Sequence, residues 1–184
     1  MNITVEIGAP ADAGLRTAAE QRCYAFLDSL GVAYTRADHP EAADMAACEA
    51  VGAALGAALC KNLFLCNRQK TKFYLLCMPG DKPFKTKELS GQLGIARLSF
   101  AGPEEMQRLL GVTPGSVSVL GLAQDTENQV QLLLDRDLQA AAWFGCHPCR
   151  NTSSLKLATD DVLHTILPAL HHAPIWVTLQ GNEA

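Results

Sequence analysis

Two apolar runs near the middle of the chain constrain the fold most. Residues 61–66 read KNLFLC, residues 72–78 read KFYLLCM, and the polar residues 67–71 connect them. Both runs have strand length, so they predict a hairpin, which Pro79-Gly80 ends. On the N-terminal side, residues 13–30 read as an amphipathic helix. Leu15, Ala19, Cys23, Phe26, Leu27 and Leu30 fall near helical spacing, and Gly31 is the stop. Residues 32–35 predict a short strand, His39-Pro40 a loop, and the Ala-rich residues 42–55 a second helix. On the C-terminal side, residues 85–93 predict a short helix closed by Gly94, and residues 97–100 a strand. Residues 103–110 predict a helix with Pro at its first position and acids in its first turn. Residues 111–122 are a turn-rich loop running into a strand, and residues 129–134 are a strand. Thr159 or Asp160 is expected to cap a helix through Leu170, and residues 175–179 form a last strand. Strands and helices mix without strict βαβ alternation, which predicts an α+β fold.

At 184 residues the chain suits one domain, residues 1–184, with a loose lead-in at about 1–12. With 48% hydrophobic and 18% charged residues it is not a disordered tail. It has no apolar run of about 18 residues, the length a transmembrane helix needs. The start, MNITVEIGAPADAG, has neither a basic nor an apolar leader region, so the expectation is a cytoplasmic chain without membrane contact. The seven cysteines are then reduced thiols, and Cys23, Cys48, Cys60, Cys66 and Cys77 read as small core residues. Net charge is −4, unevenly spread: −5 over residues 1–60, +6 over 61–97 and −5 over 98–184. The basic block is either a phosphate-facing patch or the ordinary surface of a solvated hairpin.

Three features could carry chemistry. Cys146-His147-Pro148-Cys149 has the spacing of a dithiol or half a zinc site. A structural zinc site needs a second ligand pair, and the adjacent His171-His172 cannot supply one. The pair therefore reads first as two packed thiols in a tight turn, with His147 a credible site residue. Pro114-Gly115-Ser116 lies in a loop whose small residues let backbone N–H groups approach an anion or a developing oxyanion. The surrounding GSVSVLG is neither a serine-hydrolase elbow nor a phosphate loop. Lys61 opens an apolar strand. It is either a snorkelling surface residue or a charge projected into a pocket.

The order and separation of Lys61-Asn-Leu-Phe-Leu65, Pro114-Gly-Ser-Val-Ser118, Gly145-Cys-His-Pro148 and Asn151-Thr152 resemble the YbaK/ProRS-associated editing family. The similarity covers residues 15–180 and is closest to the free-standing prolyl-tRNA editing branch (ProXp-ala/PrdX-like). Asp38-His39-Pro40 is similar to the family's early His-Pro turn. The resemblance implies a mixed α/β fold with a curved, barrel-like sheet flanked by helices. It implies hydrolysis of mischarged tRNA(Pro), with Ala-tRNA(Pro) the first candidate, in a size-excluding pocket. It places Lys61, Gly115 and Ser116 in catalysis, and Asn62, Val117, His147, Pro148, Asn151 and Thr152 at the substrate. It implies no metal and no cofactor. The acceptor end of tRNA(Pro) is the implied partner, and prolyl-tRNA synthetase is open as a second. Two positions depart from the family pattern. Val119 stands where a Gly-x-x-x-Pro loop carries proline, and Cys149 stands where leucine commonly follows His-Pro. The alternative is a non-catalytic sensor of aminoacyl-tRNA or proline on the same fold.

Overall fold

The structure, a computed structural model, describes residues 2–42 and 44–181. In chain order the elements are β1 (Thr4–Ile7), α1 (Ala18–Ser29), β2 (Tyr34–Asp38), α2 (Met45–Leu55), β3 (Cys60–Cys66), β4 (Phe73–Pro79), α3 (Thr86–Leu93), β5 (Ser99–Phe100) and α4 (Pro103–Leu110). They continue with β6 (Val130–Asp135), β7 (Trp143–Cys146), β8 (Ser153–Ala158) and α5 (Thr159–Asp161), and end with β9 (Ile175–Val177). A π-helical turn (Val162–Ile166) and a last α-turn (Leu167–Ala169) prolong α5. The α+β expectation holds.

The strands form two sheets. One is antiparallel throughout, in the order β1-β2-β8-β7. The other runs β5-β3-β4-β6-β9, with β3 antiparallel to both β5 and β4, β4 parallel to β6, and β6 parallel to β9. The predicted hairpin is β3-β4, with Cys60 opposite Pro79 and Cys66 opposite Phe73. The barrel-like closure implied by the resemblance is not seen among the described residues. The sheets stay open there, and a parallel bridge, Leu59 to Gly145, joins them.

The main core lies between the sheets. Tyr34, Phe144, Leu155 and Leu157 from one sheet meet Phe64, Phe73, Leu75 and Leu132 from the other. The alternation of β3 sends Phe64 and Cys66 into this core and Leu63 and Leu65 to a second cluster under α3. α2 covers the outer face of the first sheet through Val51 and Leu55 against Ala37. α1 begins at Thr17, in a reciprocal cap in which Glu20 N–H donates to Thr17 Oγ1 and Thr17 N–H to Glu20 Oε2. Leu15, expected on its apolar face, instead lies in a preceding 3₁₀ turn and is 88% exposed.

Three other expectations are corrected. The lead-in contains β1, whose four residues are all exposed and so lack a periodic apolar signal. The strand expected after the Gly115 loop is a 3₁₀ helix (Val119–Gln124), capped by Ser118 Oγ accepting from Leu120 N–H. Ala158 precedes α5 without a side-chain cap, and Thr159 is its first helical residue.

The seam between the sheets depends on close backbone contact. A Cβ on Gly145 would lie 2.4 Å from Ala58 O, and one on Gly80 would lie 2.4 Å from Leu59 O. Neither acceptor atom is a movable side-chain end. Gly145→Ala should therefore destabilise the chain by about 2–3 kcal/mol, read as a lower urea midpoint. Gly91→Ala, which meets nothing within 4 Å inside α3, should stabilise it by up to about 1 kcal/mol.

Candidate functional site

Two cavities flank the seam. The smaller, about 200 Å³, is lined by Asn62, Phe64, Phe100, Met106, Gly115 and Val117, together with Cys60 and His147. The larger, about 610 Å³, lies along Gly52, Gly56, Ala58, Lys61, Gly80 and Asp81, and shares Cys60 and His147 with the first. His147 therefore stands where the two meet. The two-residue period of β3 puts the adjacent Lys61 and Asn62 in different cavities. The Lys61 ammonium is held at the edge of the larger one, donating to Lys82 O at 2.8 Å. Asn62 is fixed by donating to Cys60 O at 3.2 Å and accepting from Cys77 Sγ at 3.2 Å.

The Pro114-Gly115 turn is built by Ser116 N–H donating to Thr113 O at 3.0 Å. Gly115 has φ +82°, a left-handed conformation that a side chain would strain. The N–H groups of Gly115 and Val117 have no protein acceptor among the described residues. Both residues line the smaller cavity, whereas the Ser116 N–H is engaged in the turn. Ser116 Oγ is buried without a hydrogen-bond partner. Asn151 supports the turn from behind: its Nδ2 lies 3.3 Å from the Cβ position of Gly115, and it donates to Glu41 Oε1. Asn151 O and Thr152 O accept from Ala42 N–H and His39 N–H, which fastens this segment to the His39-Pro40 loop. Pro148 is buried within its turn. Thus Asn62, Gly115, Val117 and His147 line one cavity, Lys61 lines its neighbour, and Ser116, Pro148, Asn151 and Thr152 line neither.

His147 Nδ1 lies 2.9 Å from Ser153 O and 3.2 Å from Ser154 Oγ. Burial pushes this imidazole below its ordinary pKa; the Ser153 carbonyl opposes that shift and His39 adds to it. The cysteines of the neighbouring motif are not partners of each other. Cys149 Sγ faces Cys23 Sγ at 3.5 Å, and burial pushes the Cys146, Cys60 and Cys77 thiols up, away from thiolate chemistry. Among the described residues, no three His, Cys, Asp or Glu side chains are grouped to hold a metal ion. No helix there is long and apolar enough to cross a membrane.

The basic block is not one patch. The seven-residue strands place Arg68, Lys70 and Lys72 about 20 Å from the end that carries Lys61, Lys82 and Lys85. Lys82 pairs with Asp135 and Asp137, and Lys70 with Glu105. Only the Lys61 end borders the larger cavity. Met106 and Phe100 of the smaller cavity carried no signal in the sequence, since both sit in segments legible only as ordinary helix and strand.

Comparison with known proteins identifies the family of the chain. Residues 39–165 match the family model of the aminoacyl-tRNA editing domain. The prolyl-tRNA editing protein ProX of Acetoanaerobium sticklandii is 28% identical over 78% of this chain and 88% of its own. The prolyl-tRNA synthetase associated domain-containing protein 1 of Danio rerio is 32% identical over 82% of each chain. A crystal structure described as a candidate trans-editing enzyme for prolyl tRNA synthetase superposes with TM-score 0.65. It shares 16% identity over 89% of this chain and 99% of its own, a likeness of fold.

The lowered pKa of His147 has a consequence for stability. From about pH 6.5 downward the unfolded chain takes up a proton that the folded chain resists, so this group's contribution is present above about 6.5 and is lost as the pH falls. Urea midpoints at about pH 7.5 and about pH 5.5 should therefore differ less in His147→Gln than in the wild-type chain.

Proposed function

The chain belongs to the aminoacyl-tRNA editing domain family, and on that premise we propose that it is a trans-editing deacylase for mischarged tRNA(Pro), with Ala-tRNA(Pro) as substrate. The observation that carries this reading is the pair of cavities meeting at His147. A small pocket suits a small aminoacyl group, and an adjoining larger cleft suits the terminal nucleoside that bears it.

A synthetase pocket shaped for proline discriminates poorly against alanine, because a few missing methylenes are worth only about 1–3 kcal/mol. A second pocket that admits alanine and blocks proline supplies the missing selectivity. Here Phe64, Met106 and Val117 would bound the aminoacyl side chain. The N–H groups of Gly115 and Val117 would face the ester carbonyl and receive the negative charge that develops on its oxygen. Lys61 would meet the phosphate of the terminal adenosine from the larger cavity. Water attacks the carbonyl carbon, and the bond to the ribose oxygen breaks. Free amino acid leaves and the terminal hydroxyl is restored. His147 would orient that water. An ester to a ribose hydroxyl is already activated, so the reading needs neither a nucleophilic side chain nor a metal. The acceptor end of tRNA is the partner, and prolyl-tRNA synthetase stands as a second.

Hydrolysis of Ala-tRNA(Pro) and Pro-tRNA(Pro) tests this directly. The wild-type chain should release alanine, spare proline and keep its activity in a chelator. Lys61→Ala should lower alanine release by about a hundredfold. A wild-type chain that binds Ala-tRNA(Pro) without turnover would establish the sensor instead. Met106→Ala, which widens the small cavity, should raise Pro-tRNA(Pro) hydrolysis relative to Ala-tRNA(Pro). An unchanged ratio would show that this wall does not set selectivity.

A further inference from the structure

Behind His147 runs a chain of polar side chains whose proton positions the geometry fixes. Its two ends are backbone carbonyls, which can only accept. His147 Nδ1 lies 2.9 Å from Ser153 O, so Nδ1 carries the hydrogen. His39 Nδ1 lies 2.8 Å from Pro40 O, so that nitrogen also carries its hydrogen. In a neutral ring the other nitrogen is then bare. His39 Nε2 is 2.9 Å from Ser154 Oγ, so the hydroxyl must donate to it. With its hydrogen used, Ser154 Oγ can only accept from His147 Nδ1–H, 3.2 Å away. Every donor in the chain therefore points from His147 toward the Pro40 carbonyl. His147 Nε2 is left as a lone pair with no protein donor among the described residues, on a ring that lines both cavities.

We propose that His39 and Ser154 are positioning residues that hold His147 as the Nδ1–H tautomer, with its Nε2 acceptor facing the junction of the cavities. The inference deepens the hydrolytic reading and rests on it for its catalytic consequence. A donor at Nε2 could not take a hydrogen bond from the attacking water; an acceptor can, and it directs the water's oxygen lone pair toward the ester carbon. The relay crosses the first sheet. His39 follows the end of β2 and Ser154 lies in β8, which pairs with β2 through Ala37 opposite Ser154. Ser153 and Ser154 are both fully buried, so neither His147 Nδ1 nor His39 Nε2 has water as an easy substitute partner.

The test uses the full chain labelled with ¹⁵N-histidine. The ¹⁵N shifts of the His147 ring at neutral pH distinguish a bare Nε2 from a protonated one. The wild-type chain should show a bare Nε2. Ser154→Ala removes one of the two acceptors of Nδ1–H and leaves the Ser153 carbonyl, so it should show a partial rise in the Nε2-protonated form and a kcat for mischarged tRNA lower by roughly tenfold at unchanged KM. Ser154→Thr, which keeps the hydroxyl, should restore both. A protonated Nε2 in the wild-type chain would overturn the proposal, and so would a Ser154→Ala chain with unaltered tautomer and unaltered kcat. If Ser154→Ala shifts the tautomer but neither chain hydrolyses any aminoacyl ester, the relay stands and the hydrolytic reading falls.

Discussion

The architecture depends on one tight backbone crossing. The segment Ala57-Ala58-Leu59 passes between Gly52, Gly80 and Gly145, each of which would bring a Cβ to 3.0 Å or less from a carbonyl oxygen of that segment. Because side chains are excluded there, the two sheets can approach closely enough for the Leu59 to Gly145 bridge. The crossing also sets the site. Cys60 follows it directly and His147 lies two residues beyond Gly145, so both reach the boundary between the cavities. The glycines are therefore a condition for a two-part pocket, and the apolar core between the sheets then holds it rigid.

The site's chemistry follows from what surrounds each polar group. Burial lowers the pKa of the His147 imidazole, and the Ser153 carbonyl and the Ser154 hydroxyl both stand as acceptors beside its Nδ1. The Gly115 turn spends one N–H on its own closure and leaves those of Gly115 and Val117 without an acceptor among the described residues. Preorganised donors of this kind stabilise a developing oxyanion without reorganisation at the moment of reaction. The cysteines contribute packing. Burial keeps three of them as thiols, and Cys149 meets Cys23 across the core rather than its neighbour in the motif.

Much of this was legible in the sequence, for identifiable reasons. The hairpin showed itself because both strands are buried on two faces and read as apolar runs. α4 showed itself through proline and acids at its start. β1 was invisible because Val5 and Ile7 are exposed and bury nothing that periodicity could report. β8 did carry a signal that was not read: Leu155 and Leu157 alternate with the half-buried Lys156. For the site, the family resemblance named nine residues; the fold brings Asn62, Gly115, Val117 and His147 to one cavity and Lys61 to its neighbour, and leaves Ser116, Pro148, Asn151 and Thr152 outside both. Sequence could not show that Lys61 and Asn62 face different cavities, nor that the basic residues divide between opposite hairpin ends. Those facts need strand register. The link from His39 to His147 through Ser154 spans more than a hundred residues, and no local spacing encodes it.

In the proposed reaction the small cavity takes the amino acid and the larger one the nucleoside. The most direct measurement is a crystal structure of the chain with 3′-alanylamino-3′-deoxyadenosine, in which an amide replaces the labile ester. The alanyl methyl is expected among Phe64, Met106 and Val117, with the carbonyl oxygen toward the Gly115 and Val117 N–H groups and the adenosine beside Lys61. An analogue seated elsewhere, or with its aminoacyl group in the larger cavity and its adenosine in the smaller, would overturn this assignment of the two cavities.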